Sequence, residues 1–156
     1  AIFVAMIITI IPETIRMLLI PFWANLFDKM NFVLLRMILN LLFGFGVLSF
    51  FITSNPWMIS FGSALIGAAF AGGSIAWNLW VTKYAPPGKA GAYMSVHVSL
   101  TGIRGTIGPI LGYWTVGLIG TQNIGILSFA MMFFATLMLI PEIKHGNKTT
   151  SKGKSS

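Results

Sequence analysis

Five apolar runs fill most of this chain, and their lengths limit its fold more than any other property. They are Ala1–Trp23, Phe32–Thr53, Met58–Val81, Met94–Ile119 and Ile124–Ile140. About 20 helical residues cross the roughly 30 Å of hydrocarbon in a bilayer. Each run therefore suits one crossing, the fifth lying near the lower limit. A helix satisfies every backbone polar group within its own segment, which lipid demands. The period-2 alternation of a membrane barrel is absent. Only 8% of the residues are charged, against about a quarter in a soluble domain, so the chain cannot cover itself with a water-compatible surface. The predicted fold class is an all-α, polytopic membrane protein. Its helical bundle of five transmembrane helices spans 1–141, at about 1–23, 32–53, 58–81, 94–119 and 124–140. Residues 142–156 are a Lys-, Ser- and Thr-rich tail, expected to be disordered.

The basic residues sort with the runs. Lys29 and Arg36 follow the first, Lys83 and Lys89 the third, and Lys144, Lys148, Lys152 and Lys154 the fifth; the turns after the second and fourth carry no charge. Short Lys- and Arg-rich loops stay cytoplasmic. This alternation predicts that the first helix runs inward and that the C-terminus is cytoplasmic. Trp23 and Trp80 would then mark the inner interface, Trp57 and Trp114 the outer one. Residue 1 lies inside an apolar run with no Met and no polar leader, which leads to the expectation of further helices upstream.

Two basic residues, Arg16 and Arg104, lie inside apolar runs, where charge is costly and serves function. Glu13 and Arg16, at i, i+3, share one face of the first helix. They are about 22 Å and 18 Å along it from Asp28. They can satisfy one another as a structural pair or face a polar cavity. His97, Thr101, Arg104 and Gly108 step by four, three and four, so they form one polar stripe on the fourth helix. A pathway site uniting Glu13, Arg16 and Arg104 at the midplane is the sharper expectation. Its excess positive charge favours an anionic or zwitterionic solute. His97 could relay protons, as an imidazole can, or simply hydrogen-bond. Gly105, Gly108 and Gly112 form a small stripe, as do Gly67, Ala71, Ser74 and Asn78 on the third helix; such stripes let membrane helices approach closely. Pro109 frees a carbonyl and kinks its helix.

Other chemistries find little support. Without Cys there is no disulfide, thiolate metal site or Cys nucleophile. His97 and His145 lie in different environments and make no metal pair, so neither a metal nor a cofactor is expected. The net charge of +7 is spread over separate segments without a basic helix face, which argues against nucleic acid. One buried carboxylate and one buried His on different helices argue against an enzyme.

The segment Ala24-Asn25-Leu26-Phe27-Asp28-Lys29-Met30-Asn31 resembles the loop joining the second and third helices of each half of major facilitator superfamily transporters. That loop carries a Gly-x-x-x-Asp-Arg-x-Gly-Arg signature. Asp28 and Lys29 match; Ala24 and Asn31 replace the glycines, and Phe32 and Val33 replace the basic pair. The run Gly102–Gly112 resembles the family's Gly-rich, Gly-Pro-containing helix, with a different Gly spacing. The resemblance covers almost the whole chain and implies the eighth to twelfth helices of the family's second half. It implies a secondary-active transporter moving a small solute across the cell membrane by alternating access. Glu13, Arg16 and Arg104 would lie on the pathway, Asp28 would act as a conformational latch, and the partners would be the lipid bilayer, the upstream helices and a small-molecule substrate. The alternative is a non-transporting five-helix scaffold or receptor subunit.

Overall fold

Helix formation follows the apolar runs and is punctuated by Asn, Pro and Gly. The structure, a computed structural model, describes residues 2–146, with side-chain surroundings for 4–144. Helix α1 covers Ile2–Lys29, α2 Phe32–Ile52, α3 Pro56–Tyr84, α4 Ala90–Ile119 and α5 Thr121–Met138. A 3₁₀ turn at Ile140–Glu142 and one helical turn, α6 at Ile143–Gly146, follow. Asn31 caps α2 by accepting from the Val33 N–H at 2.8 Å. Asn55 caps α3 by accepting from the Trp57 N–H at 3.0 Å, with Pro56 as the first helical residue. Both arrangements match what helix N-termini favour. The α4–α5 turn narrows to Gly120, whose φ of 80° is left-handed; Gly88, before α4, has the same φ.

The boundaries correct the expectation in three places. Residues 24–29 are helical, so most of the expected 25–31 loop is the last turns of α1. No Pro or Gly interrupts that stretch, and its polar residues lie at a helix end, where water satisfies them. Helix α4 begins four residues earlier than expected. The first residues of the expected tail, through Gly146, are helical; its expected disorder over 147–156 lies outside the described residues.

Helix α3 is the spine. It packs on α1 along one side and on α2 along the other, and α5 packs on the far side of α2. Small residues set these approaches. A Cβ on Gly67 would stand 2.5 Å from the Pro12 carbonyl oxygen and 2.8 Å from its Cα, so the α1 and α3 backbones nearly touch. At the α2–α3 crossing, a Cβ on Gly46 would meet Ile66 at 2.6 Å, and one on Gly62 would meet Ser49 at 2.7 Å. Close backbone approach replaces the hydrophobic effect as the source of attraction between helices in lipid. Near the end bearing Lys29 and Lys83, the core gathers Trp23, Phe27, Leu35, Leu39, Ala71 and Ala76. Trp23 is 4% exposed within that core, whereas Trp57 is 81% exposed.

Helix α4 differs from the rest. None of its residues is buried, and Cβ atoms on Gly105, Gly108 and Gly112 would meet nothing within 4 Å. Its small stripe therefore has no partner among the described residues, while on α3 Gly67 and Ala71 are buried and Ser74 and Asn78 are exposed. The helix continues through Pro109, and α1 likewise contains Pro12 and Pro21. Among the described residues, four helices are long and apolar enough to cross a membrane: α1, α2, α3 and the α5 segment through Glu142. With 30 residues α4 has the length, but His97, Arg104, its serines and its glycines dilute its apolar character.

Candidate functional site

The charged residues inside the bundle fall into two groups. In α1, Glu13 and Arg16 close on each other, Oε2 to Nη2 at 2.9 Å. Glu13 borders a cavity of about 350 Å³ with Thr9, Pro12 and Phe70. Arg104 points elsewhere. It borders a cavity of about 360 Å³ between α2, α3 and α4, together with Arg36, Asn40, Phe43, Phe70 and Trp77. Phe70 thus lines both cavities and stands between the two charge groups. The expected union of Glu13, Arg16 and Arg104 in one site is not what the fold brings together.

What it does bring together is Arg36, Trp77, His97, Thr101 and Arg104, around a further cavity of about 190 Å³. Of the expected pathway residues, His97, Thr101 and Arg104 therefore share a site. The stripe spacing on α4 places them on one face, and long helical side chains lean toward the N-terminus of their helix. Arg104 accordingly reaches back to Trp77, its guanidinium carbon 5.3 Å from the ring centroid. The His97 ring lies 4.3 Å from that of Trp77 and 5.2 Å from that of Trp80. Thr101 donates to the His97 carbonyl at 2.8 Å, which occupies its hydroxyl proton within α4. The indole N–H of Trp80 and Nε2 of His97 are buried without a hydrogen-bond partner.

Arg36 is the residue that sequence reasoning missed. Its place four residues into α2 reads as a topology signal from the neighbouring loop. Its i, i+4 relation to Asn40 was the available sign, since both lie on one helix face and both border the cavity. The expected latch residues Asp28 and Lys29 lie in the last turn of α1, and Asp28 is the acidic neighbour of Lys83. Another cavity, about 460 Å³ and lined by Leu42, Phe45 and Met58 among others, is almost wholly apolar and offers no comparable chemistry.

Long apolar helices and close glycine-mediated crossings define a polytopic helical membrane protein, and two arginines border an open polar crevice on it. The model of the Major Facilitator Superfamily matches residues 2–155, and the chain belongs to that family of transporters. No curated protein matches the chain, and no solved structure does.

Proposed function

We propose that the chain forms part of a secondary-active transporter that moves a small solute by alternating access. The crevice shared by Arg36, Arg104 and His97 on three otherwise apolar helices carries this reading, because charge within apolar membrane helices is retained for function. Arg104 and Arg36 would hold the solute, and His97 would hydrogen-bond it or relay a proton. Thr101 fixes the α4 turn between them. Glu13 and Arg16 line the neighbouring part of the pathway. Asp28 and Lys29, at the basic face, would act as the conformational latch. Gly105, Gly108, Pro109 and Gly112 would let α4 flex while the close-packed α1, α2 and α3 move as one body. The basic face and the C-terminus are cytoplasmic in this reading, by the distribution of Lys and Arg, and the membrane is the cell membrane.

The absence of Cys from this sequence allows a test that needs no known substrate. Asn40→Cys, made in a cysteine-free background, places one thiol in the cavity. Membrane-impermeant thiol reagents are then applied from each face in turn. Labelling from both faces, in proportions that shift oppositely when the protein is driven by an ion gradient, is the expected result. Labelling from one face only, under all gradients, would overturn alternating access.

A further inference from the structure

Among the described residues, no acidic side chain borders the cavities that Arg36 and Arg104 share. The sequence contains three acidic residues, Glu13, Asp28 and Glu142. Glu13 is paired with Arg16, Asp28 neighbours Lys83, and Glu142 follows α5 and neighbours Tyr84. None borders the cavities that the two arginines share. Two guanidiniums that border one crevice repel each other, and an anion between them relieves that repulsion. The surrounding groups are also donors. Each guanidinium offers a fork of N–H groups. Nε2 of His97, which borders the smaller cavity, is buried and unsatisfied, and buried polar atoms of that kind are rare unless a ligand or water completes them. Two forks and an imidazole exceed what the two oxygens of one carboxylate can accept. They suit an anion with three or more oxygens. Beside them lies an apolar groove of about 370 Å³, lined by Trp80, Tyr93, Val96 and Leu100. His97 and Leu100 border both the groove and the charged cavity, so the two are continuous.

We propose that the crevice framed by Arg36, Trp77, His97 and Arg104 binds a phosphate group, with the adjoining groove taking an apolar portion of the same molecule. Trp77 holds the Arg104 guanidinium from one side by its ring face, and the two indoles fix the His97 ring. The phosphate comes from one of two sources, a soluble phosphate compound or the headgroup of an anionic phospholipid. The site deepens the proposed function by naming the chemistry of its cavity, but binding is measurable without flux.

The test uses the purified protein with its complete chain in phosphatidylcholine nanodiscs. In one arm, inorganic phosphate is titrated and the thermal midpoint followed. In the other, phosphatidylglycerol is included at one part in five and retained lipid is counted by native mass spectrometry. A midpoint that rises with phosphate supports the site and a soluble source. Selective retention of phosphatidylglycerol supports the site and a lipid source. In either case Arg36→Gln and Arg104→Gln each weaken binding roughly tenfold or more, the effect of losing a charged hydrogen-bond partner. Lys144→Gln, which removes a cation outside the cavity, leaves binding intact. Arg36→Lys and Arg104→Lys retain the charge, preserve part of the binding and guard against loss through misfolding. Absence of both signals in the wild type, or signals that survive Arg36→Gln with Arg104→Gln, overturns the proposal. Binding without alternating thiol access would reject the transport mechanism and leave the site standing; the reverse outcome would reject the site alone.

Discussion

Lys83 at the end of α3 sits over the ring of Phe27, its Nζ 4.2 Å from the centroid, and donates to the Phe27 carbonyl. A longer bond, 3.4 Å, reaches the Met30 carbonyl. The last carbonyls of a helix have no partner within it, and a cation there both bonds them and opposes the negative end of the helix dipole. Lys83 thus finishes α1 from a different helix. Lys83→Met keeps the apolar stem and removes these interactions. It should destabilise the bundle by about 1–2 kcal/mol, read as a lower thermal midpoint in detergent, while Lys89→Met should change it little.

The crossing of α1 and α3 depends on a missing side chain. Gly67→Ala would drive a methyl group into the Pro12 backbone, which cannot swing aside as a flexible side chain could. Overpacking of this kind costs about 1–3 kcal/mol. Gly73→Ala, six residues along the same helix, meets nothing within 4 Å and gains up to about 1 kcal/mol of helix propensity. Unfolding midpoints of the two variants should therefore move in opposite directions, or Gly73→Ala should be neutral.

Glu13 and Arg16 are expected to behave as a unit. Glu13→Gln and Arg16→Gln each strand a charge, whereas the double substitution removes both. A double-mutant cycle in a bilayer should return a coupling of about 0.5–3 kcal/mol, the range for residues in contact. Additive effects would show that the ion pair at 2.9 Å contributes nothing to stability.

Asn31 joins two parts of the chain. Its side-chain oxygen caps α2, and its amide nitrogen donates to the Ile143 carbonyl at 2.9 Å. Asn31→Asp retains the cap and loses the donor. Bundle stability should hold, and the amides of 143–144 should exchange faster with deuterium. Asn31→Ala loses both, with an added cost of about 1 kcal/mol for the cap.

The five helices were legible because membrane thickness sets their length, and apolar runs report it directly. The polar stripe His97, Thr101, Arg104 was legible because it repeats with the helix period. Lys83 and Arg36 were not, because a basic residue near a loop carries two kinds of information. The positive-inside bias explains it without reference to any contact, so its second use as a cap or a cavity wall leaves no separate trace. Pro12 was hidden for another reason: its role depends on Gly67, 55 positions away, and spacing along one helix cannot reveal an approach between two. Residues 24–29 were read as a loop from their polar members and a family signature, although nothing in them stops a helix before Asn31.

Helix α4 is bracketed by glycines. A left-handed glycine precedes it, another ends it, and between them no residue is buried. Within the described bundle its middle meets α3 through side chains, the His97 ring against Trp77 and Trp80 and the Arg104 guanidinium against Trp77. Because Arg104 and His97 lie on α4 while Arg36 lies on α2 and Trp77 on α3, a small tilt of α4 would change the spacing of the cationic groups directly.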